Sequence, residues 1–147
     1  MPVAAPSVDG PVAPALALGV LADVLGYHVA QAAVTTVDLF DRHIGQPYGL
    51  RKVEYSLLLL LLANGPLTPK RLGHALVLSG PKLTLLLDRL QQRGLLRRER
   101  SATDGRSQNI VLTDVGHQLT RAAGDAAGPM ETELDQRLSR AERLMLI

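Results

Sequence analysis

Cysteine and tryptophan are absent from the 147 residues, and the only aromatic residues are three Tyr and one Phe. Without cysteine the chain can form no disulfide framework, no thiolate metal site and no thiol redox sensor. The longest apolar run, residues 57–63, is far shorter than the roughly 20 residues that span a bilayer. No Lys or Arg precedes Arg42, so the charged start of a secretory signal is missing. These absences favour a cytoplasmic protein, and the abundance of leucine favours a helical core.

Patterns of catalytic or metal-binding residues are also missing. The four His are scattered, with no pair at helical spacing, which argues against a metal site. No Ser lies in a nucleophile setting such as a Gly-x-Ser-x-Gly turn. We therefore expect the protein not to be an enzyme, and we expect no cofactor and no metal.

Positive charge is concentrated in the middle of the chain. Residues 68–106 contain nine Lys or Arg and three Asp or Glu, a net charge of +6, whereas residues 1–67 and 107–147 each carry −2. A basic segment between acidic ends is typical of a module that binds a polyanion. On composition alone, a merely solvated basic face remains the alternative.

One helix in this basic segment, which we call the probe helix, is bounded on both sides. Ser79 is its predicted N-cap, Pro81 suits its first turn, and Gly94 ends it. Its apolar residues recur at i, i+3, i+4 and i+7 and predict one buried face: Leu83, Leu86, Leu87 and Leu90.

The segments around the probe helix complete a supersecondary pattern. A helix over residues 68–78 precedes it, with Thr68 as the predicted N-cap. Two extended runs, residues 95–100 and 108–112, follow it and predict a β-hairpin. Helix, turn, helix and hairpin is the order of a winged helix-turn-helix, whose second helix enters the DNA major groove.

Motifs at fixed spacing make the pattern more specific. They are Asp88-Arg89-Leu90, Arg93-Gly94-Leu95, Asp104-Gly105-Arg106 and Leu112-Thr113-Asp114-Val115-Gly116. As a set, over about residues 50–120, they resemble the MarR/SlyA family of bacterial transcriptional regulators. The resemblance implies a homodimer that binds a pseudo-palindromic operator in double-stranded DNA and is often released by a small effector.

The expected fold is mainly α, an α+β winged helix with about six helices and a two- to three-stranded wing hairpin. Residues 1–14, which contain four Pro, are expected to form a flexible leader. Residues 15–50 and 113–147 are predicted to supply dimerisation helices, and residues 51–112 the DNA-binding lobe. The long first helix is expected to run from Ala15 to Ile44 and to break at Gly45-Gln46-Pro47. The C-terminal helices, expected to be separated by Gly128-Pro129, carry apolar stripes with no cover in their own chain.

DNA contacts are predicted on three parts of the lobe. Pro81, Lys82 and Thr84 lie at the start of the probe helix, where bases are read, and Thr68, Lys70 and Arg71 are phosphate candidates. The resemblance implies that Arg106 is a minor-groove arginine oriented by Asp104; the alternative is a surface salt bridge in a turn. The complete predicted set is Thr68, Lys70, Arg71, Ser79, Pro81, Lys82, Thr84, Leu85, Arg89, Arg98, Arg100, Asp104 and Arg106.

Leu85 departs from the family pattern. Many members have an arginine here, which reads guanine bidentately, whereas leucine offers only apolar contact, for example to a thymine methyl group. We therefore expect an operator that differs from the commoner ones.

An effector site is predicted beside the first helix break. The resemblance places effectors, often aromatic anions, between the dimer helices and the DNA-binding lobe. Residues from that part of the chain could supply an aromatic wall, donors and a cation: Tyr27, His28, Arg42, His43, Tyr48 and Arg51. An ordinary structural histidine is an equally good interpretation of His28 and of His43.

The leading hypothesis is a dimeric DNA-binding regulator, expected to act as a repressor. The alternative is a winged-helix module that binds protein without binding an operator. The central charge of +6 favours DNA.

Overall fold

Helices form most of the protein. The computed structural model describes residues 16–100, 107–137 and 139–146, and the chain divides into two units between Ala33 and Val34. The leader predicted for residues 1–14 lies outside the described residues. No helix in the described part is long and apolar enough to cross a bilayer.

The first helix begins later than predicted and continues further. A 3-10 helix spans Gly19–Asp23, and α1 spans Leu25–Phe40, because Val24 between them has an extended backbone. A π-helical turn, Asp41–Gly45, leads directly into α2, Gln46–Tyr48. The helical run therefore ends at Gly49, which has a φ of +61°.

The predicted break at Gly45-Gln46-Pro47 is thus wrong. Gln46 N–H bonds the Asp41 carbonyl and closes the π turn, and Pro47 then lies in the first turn of α2, where the N–H that proline lacks is not needed. A Cβ at Gly45 would lie 2.7 Å from an Asp41 carboxylate oxygen, which would have to move aside, and 3.3 Å from the Phe40 ring, so the chain packs closely at this glycine.

The predicted winged helix-turn-helix is confirmed. Helices α3, α4 and α5 span Lys52–Asn64, Pro69–Leu76 and Gly80–Gln92. Strands β1 and β2 span Leu96–Arg100 and Gln108–Leu112, and pair antiparallel from Leu96↔Leu112 to Arg100↔Gln108. A single bridge, Leu67↔Ile110, adds a short third edge to this hairpin.

The C-terminal helices end at positions that differ from the prediction. Helix α6 spans Asp114–Asp125, α7 spans Ala127–Asp135 and α8 spans Arg140–Leu146. The break falls at Ala126 rather than at Gly128-Pro129, because Pro129 lies in the first turn of α7, where a missing N–H costs nothing. The stripe predicted from Met130 onward is divided between α7 and α8.

The core of the second unit lies around α3. Leu57, Leu58 and Leu61 are buried, while Leu59, Leu60 and Leu62 are half-buried, so the six consecutive leucines pack on several sides as predicted. Helix α6 packs closely on Leu95, which lies between the probe helix and β1. A Cβ at Gly116 would lie 1.9 Å from the Leu95 carbonyl oxygen. This contact fixes the hairpin against α6.

Candidate nucleic-acid interface

The turn between α4 and α5 is built as the sequence predicts, with one exception. The Thr68 hydroxyl accepts a 3.3 Å hydrogen bond from Arg71 N–H and caps α4. Val77, the C-cap residue that follows α4, has a φ of +53°. Leu78 N–H then bonds the Gly73 carbonyl at 2.9 Å. The exception is Ser79: it holds the N-cap position of α5, but its side chain makes no cap hydrogen bond to the described residues.

The probe helix, α5, presents a polar and apolar mixture to solvent. Leu83, Leu87 and Leu90 are buried as predicted, and Leu86 is only half-buried. The outward residues include four of the predicted contacts: Pro81, Lys82, Thr84 and Leu85. The Thr84 hydroxyl donates to the Gly80 carbonyl at 3.0 Å, and the Leu85 side chain is 72% exposed.

Arg89 is held by a buried carboxylate that the sequence reasoning missed. Glu54 on α3 is 1% exposed; Arg89 Nε lies 3.3 Å from its Oε1, and Arg93 Nη1 lies 3.5 Å from its Oε2. Oε1 accepts no hydrogen bond from the described residues, so its attraction to Arg89 is between charges. Oε2 also accepts a 2.8 Å hydrogen bond from Arg51 N–H. An acid three residues after an N-cap was the available signal.

The hairpin is tied to the probe helix by Arg98. Its Nη2 donates to Asp88 Oδ1 and its Nη1 to Gln91 Oε1, each at 2.6 Å. Arg97 instead pairs with Glu99 on its own strand at 2.6 Å. Arg98 therefore fixes β1 relative to α5, which is a structural role in addition to the predicted DNA contact.

The other predicted DNA-contacting cations lie at the edges of this surface. Lys70 and Arg71 are exposed in the first turn of α4, and Arg100 is exposed at the end of β1. Asp104 and Arg106 lie outside the described residues, so their role stays a prediction.

The predicted effector residues are only partly brought together. Arg42 Nη2 and His43 Nε2, both on the π turn, lie 2.8 Å and 3.0 Å from the two carboxylate oxygens of Glu133 on α7. The hydrogen bond from Arg42, followed by that from His43, lowers the pKa of Glu133 below its usual range. Arg42 is also 3.5 Å from Asp38. The π turn therefore directs two donors at one carboxylate.

The remaining effector candidates make other contacts. Tyr48 is half-buried against the core, and Arg51 lines a groove beside α5 with Lys82. In the first unit, the rings of Tyr27 and His28 meet edge to face with centroids 5.4 Å apart, and His28 Nε2 lies 2.8 Å from the Ala22 carbonyl. Within the described residues no group of three or more His, Asp or Glu could hold a metal ion.

The geometry of α4, α5 and the hairpin defines a winged helix-turn-helix protein. The sequence profile of the MarR family matches residues 48–107. The chain belongs to the MarR family of transcriptional regulators.

Individual relatives agree with this assignment. The chain is 43% identical to the organic hydroperoxide resistance transcriptional regulator of Bacillus subtilis over 75 residues. This aligned segment is 51% of each protein. The chain thus spans about half the length of that relative. The transcriptional repressor CouR, solved with a 23-mer DNA duplex, is 32% identical, with a TM-score of 0.81 over 90% of this chain and 94% of CouR. A second CouR structure, bound to p-coumaroyl-CoA, is 30% identical, with a TM-score of 0.77 over 90% of this chain and 92% of that chain.

Proposed function

We propose that this protein is a homodimeric, cytoplasmic repressor that binds a pseudo-palindromic operator and is released by an aromatic anion. The observation that carries the DNA-binding part is the Arg98 bridge from β1 to Asp88 and Gln91 of α5. It holds wing and probe helix as one rigid unit, which is the requirement for placing both on one duplex. CouR, a repressor solved with DNA, supports the proposal.

Three kinds of DNA contact are assigned to this DNA-binding lobe. Lys70 and Arg71, in the first turn of α4, bind phosphate together with the backbone N–H groups there. Lys82 and Thr84 on α5 contact base edges. Arg106 on the wing enters the minor groove, with Asp104 orienting its guanidinium.

Dimerisation follows from apolar surface that the described chain leaves uncovered. In the first unit Leu16, Val20 and Leu25 are between 77% and 90% exposed, and in the second Leu144 on α8 is 68% exposed. Apolar helical faces of this kind are covered by a second copy, and a symmetric dimer matches a palindromic operator. Leu134, half-buried on α7, belongs to the predicted C-terminal stripe. Leu134→Asp should yield monomer or aggregate in light scattering, while a wild-type monomer at micromolar concentration would disprove the dimer.

The effector is assigned to Arg42 and His43 on the π turn. Arg42 and His43 already hold one carboxylate, that of Glu133, so they can hold the carboxylate of an aromatic acid in its place. CouR, which binds p-coumaroyl-CoA, makes aromatic acids and their thioesters the first compounds to test. Peroxide sensing through a thiol does not apply, because these 147 residues contain no cysteine.

DNA binding is tested by gel shift on the promoter beside the protein's own gene, with random DNA for comparison. Arg106→Ala should weaken binding to both DNAs and flatten the salt dependence, whereas Thr84→Ala should mainly reduce discrimination between them. Equal loss on both DNAs for Thr84→Ala would contradict the assignment of the probe helix.

Release is tested by titrating aromatic acids and thioesters against the DNA complex. Arg42→Ala should raise the concentration needed for release, whereas Glu133→Gln, which removes the competing carboxylate, should lower it. Arg121→Ala, at an exposed position on α6, serves as the control. If release is unchanged in both Arg42→Ala and Glu133→Gln, the proposed effector site is wrong, and the proposal of operator binding still stands.

A further inference from the structure

The solvent-exposed face of the probe helix carries one large apolar side chain, Leu85, beside the polar residues Lys82 and Thr84. Leu85 is 72% exposed, although Leu83 and Leu87 on either side are only 5% and 2% exposed. Its side chain therefore takes little part in the core. A single exposed leucine needs no explanation in general, so the argument rests on the state of its polar neighbours.

Three arginines near the C-terminal half of the probe helix are engaged within the protein. Arg89, one turn beyond Leu85, is paired with buried Glu54, as is Arg93. Arg98 binds Asp88 and Gln91, which also occupies the side-chain carbonyl of Gln91. Bidentate recognition of guanine needs a guanidinium free to face O6 and N7, and these three are directed at carboxylates instead.

Thr84 is also engaged within the protein. Its hydroxyl proton is donated to the Gly80 carbonyl, so toward a base it can accept a hydrogen bond or present its methyl group. Leu85 can present only methyl groups. The one apolar group that bases expose in the major groove is the C5-methyl of thymine.

We infer that Leu85 determines operator specificity by packing on thymine methyl groups in each half-site. This inference rests on the proposed operator binding and specifies its sequence class. A thymine there gains an apolar contact, whereas a cytosine would leave its N4 donor against a side chain that cannot accept a hydrogen bond.

Removing single methyl groups from the DNA tests the inference. On the operator selected by the wild-type protein, each thymine in the half-sites is replaced in turn by deoxyuridine, which keeps the base pair and loses only the methyl group. Burial of one methyl group is worth about fourfold in affinity. Replacing the contacted thymine in each of the two half-sites should therefore weaken wild-type binding about 15-fold. Leu85→Ala should bind the thymine and uracil operators equally, and Leu85→Arg should shift the preferred base toward guanine.

Lys70→Ala is the matched control. It should weaken binding to the thymine and uracil operators by the same factor, because a phosphate contact is blind to the methyl group. If the wild type binds a specific operator but no deoxyuridine replacement matters, or if Leu85→Ala keeps the thymine preference, the inference is overturned while operator binding stands. If no specific DNA is selected at all, the proposed function itself fails.

Discussion

Glu54, buried in the first turn of α3, lies 3.3 Å from Arg89 on the probe helix. A carboxylate that is 1% exposed must be neutralised where it lies, and the cations that do so, Arg89 and Arg93, both belong to the segment at the end of α5. The ion pairs therefore orient the probe helix on α3. They also engage the Arg89 guanidinium within the protein.

This relationship predicts non-additive effects on stability. Arg89→Ala leaves the carboxylate with less compensation and should lower the free energy of unfolding by about 2 kcal/mol, less than a fully buried pair would lose, because Arg89 is half-exposed. Glu54→Gln keeps the shape of the side chain and removes the charge. In urea denaturation the variant that carries both substitutions should be about 1 kcal/mol more stable than the two single effects added together predict. Additive single effects would rule out the coupling.

Gly116 is predicted to tolerate no side chain. A Cβ there would lie 1.9 Å from the Leu95 carbonyl oxygen, so α6 and the hairpin would have to separate. Gly116→Ala should lower the free energy of unfolding by at least about 3 kcal/mol. Gly128→Ala is the control, since a Cβ at Gly128 has nothing within 4 Å, and it should be neutral or stabilising in the same urea experiment.

Val77 is predicted to be a strained residue that can be improved. It has a φ of +53°, a region unfavourable for a β-branched side chain, and it is 91% exposed, so replacing it sacrifices no packing. Val77→Asn should raise the free energy of unfolding by about 1 kcal/mol and the Tm by roughly 3–5 °C. Val115→Asn, at an exposed helical position, should bring no such gain. A Tm for Val77→Asn at or below that of the wild type would contradict the strain.

The contacts of Glu133 predict a pH dependence with a definite sign. Hydrogen bonds from Arg42 and then His43 lower the pKa of Glu133 in the folded protein. Its contribution to stability is therefore complete above the ordinary glutamate pKa of about 4.3 and is lost as the pH falls through the lower folded value. Glu133→Gln should therefore lower the Tm at neutral pH, and this difference from the wild type should vanish in acid. A difference that is constant with pH would show that the charge of Glu133 plays no part.

Local patterns determined much of the architecture. Thr68 and Pro69 start α4, Gly94 ends the probe helix with a φ of +70°, and the leucine spacing sets which face of α5 is buried. Such features depend on neighbours a few residues away, so they can be read from the sequence. The same reasoning failed at Pro47 and Pro129, because proline's effect depends on its position in a helix, and both lie in a first turn, of α2 and of α7, where the N–H is not needed.

Long-range contacts were decided only by the tertiary structure. Arg89 and Arg98 read in the sequence as two more cations of a basic segment, and the fold assigns them to Glu54 and Asp88. Likewise Arg42 and His43 find Glu133 some ninety residues away in the chain. The sequence by itself determined the winged helix-turn-helix and the family, since both rest on local spacing. Which charges are free to meet DNA or a ligand depends on the distance between side chains far apart in the chain, and only folding sets that distance.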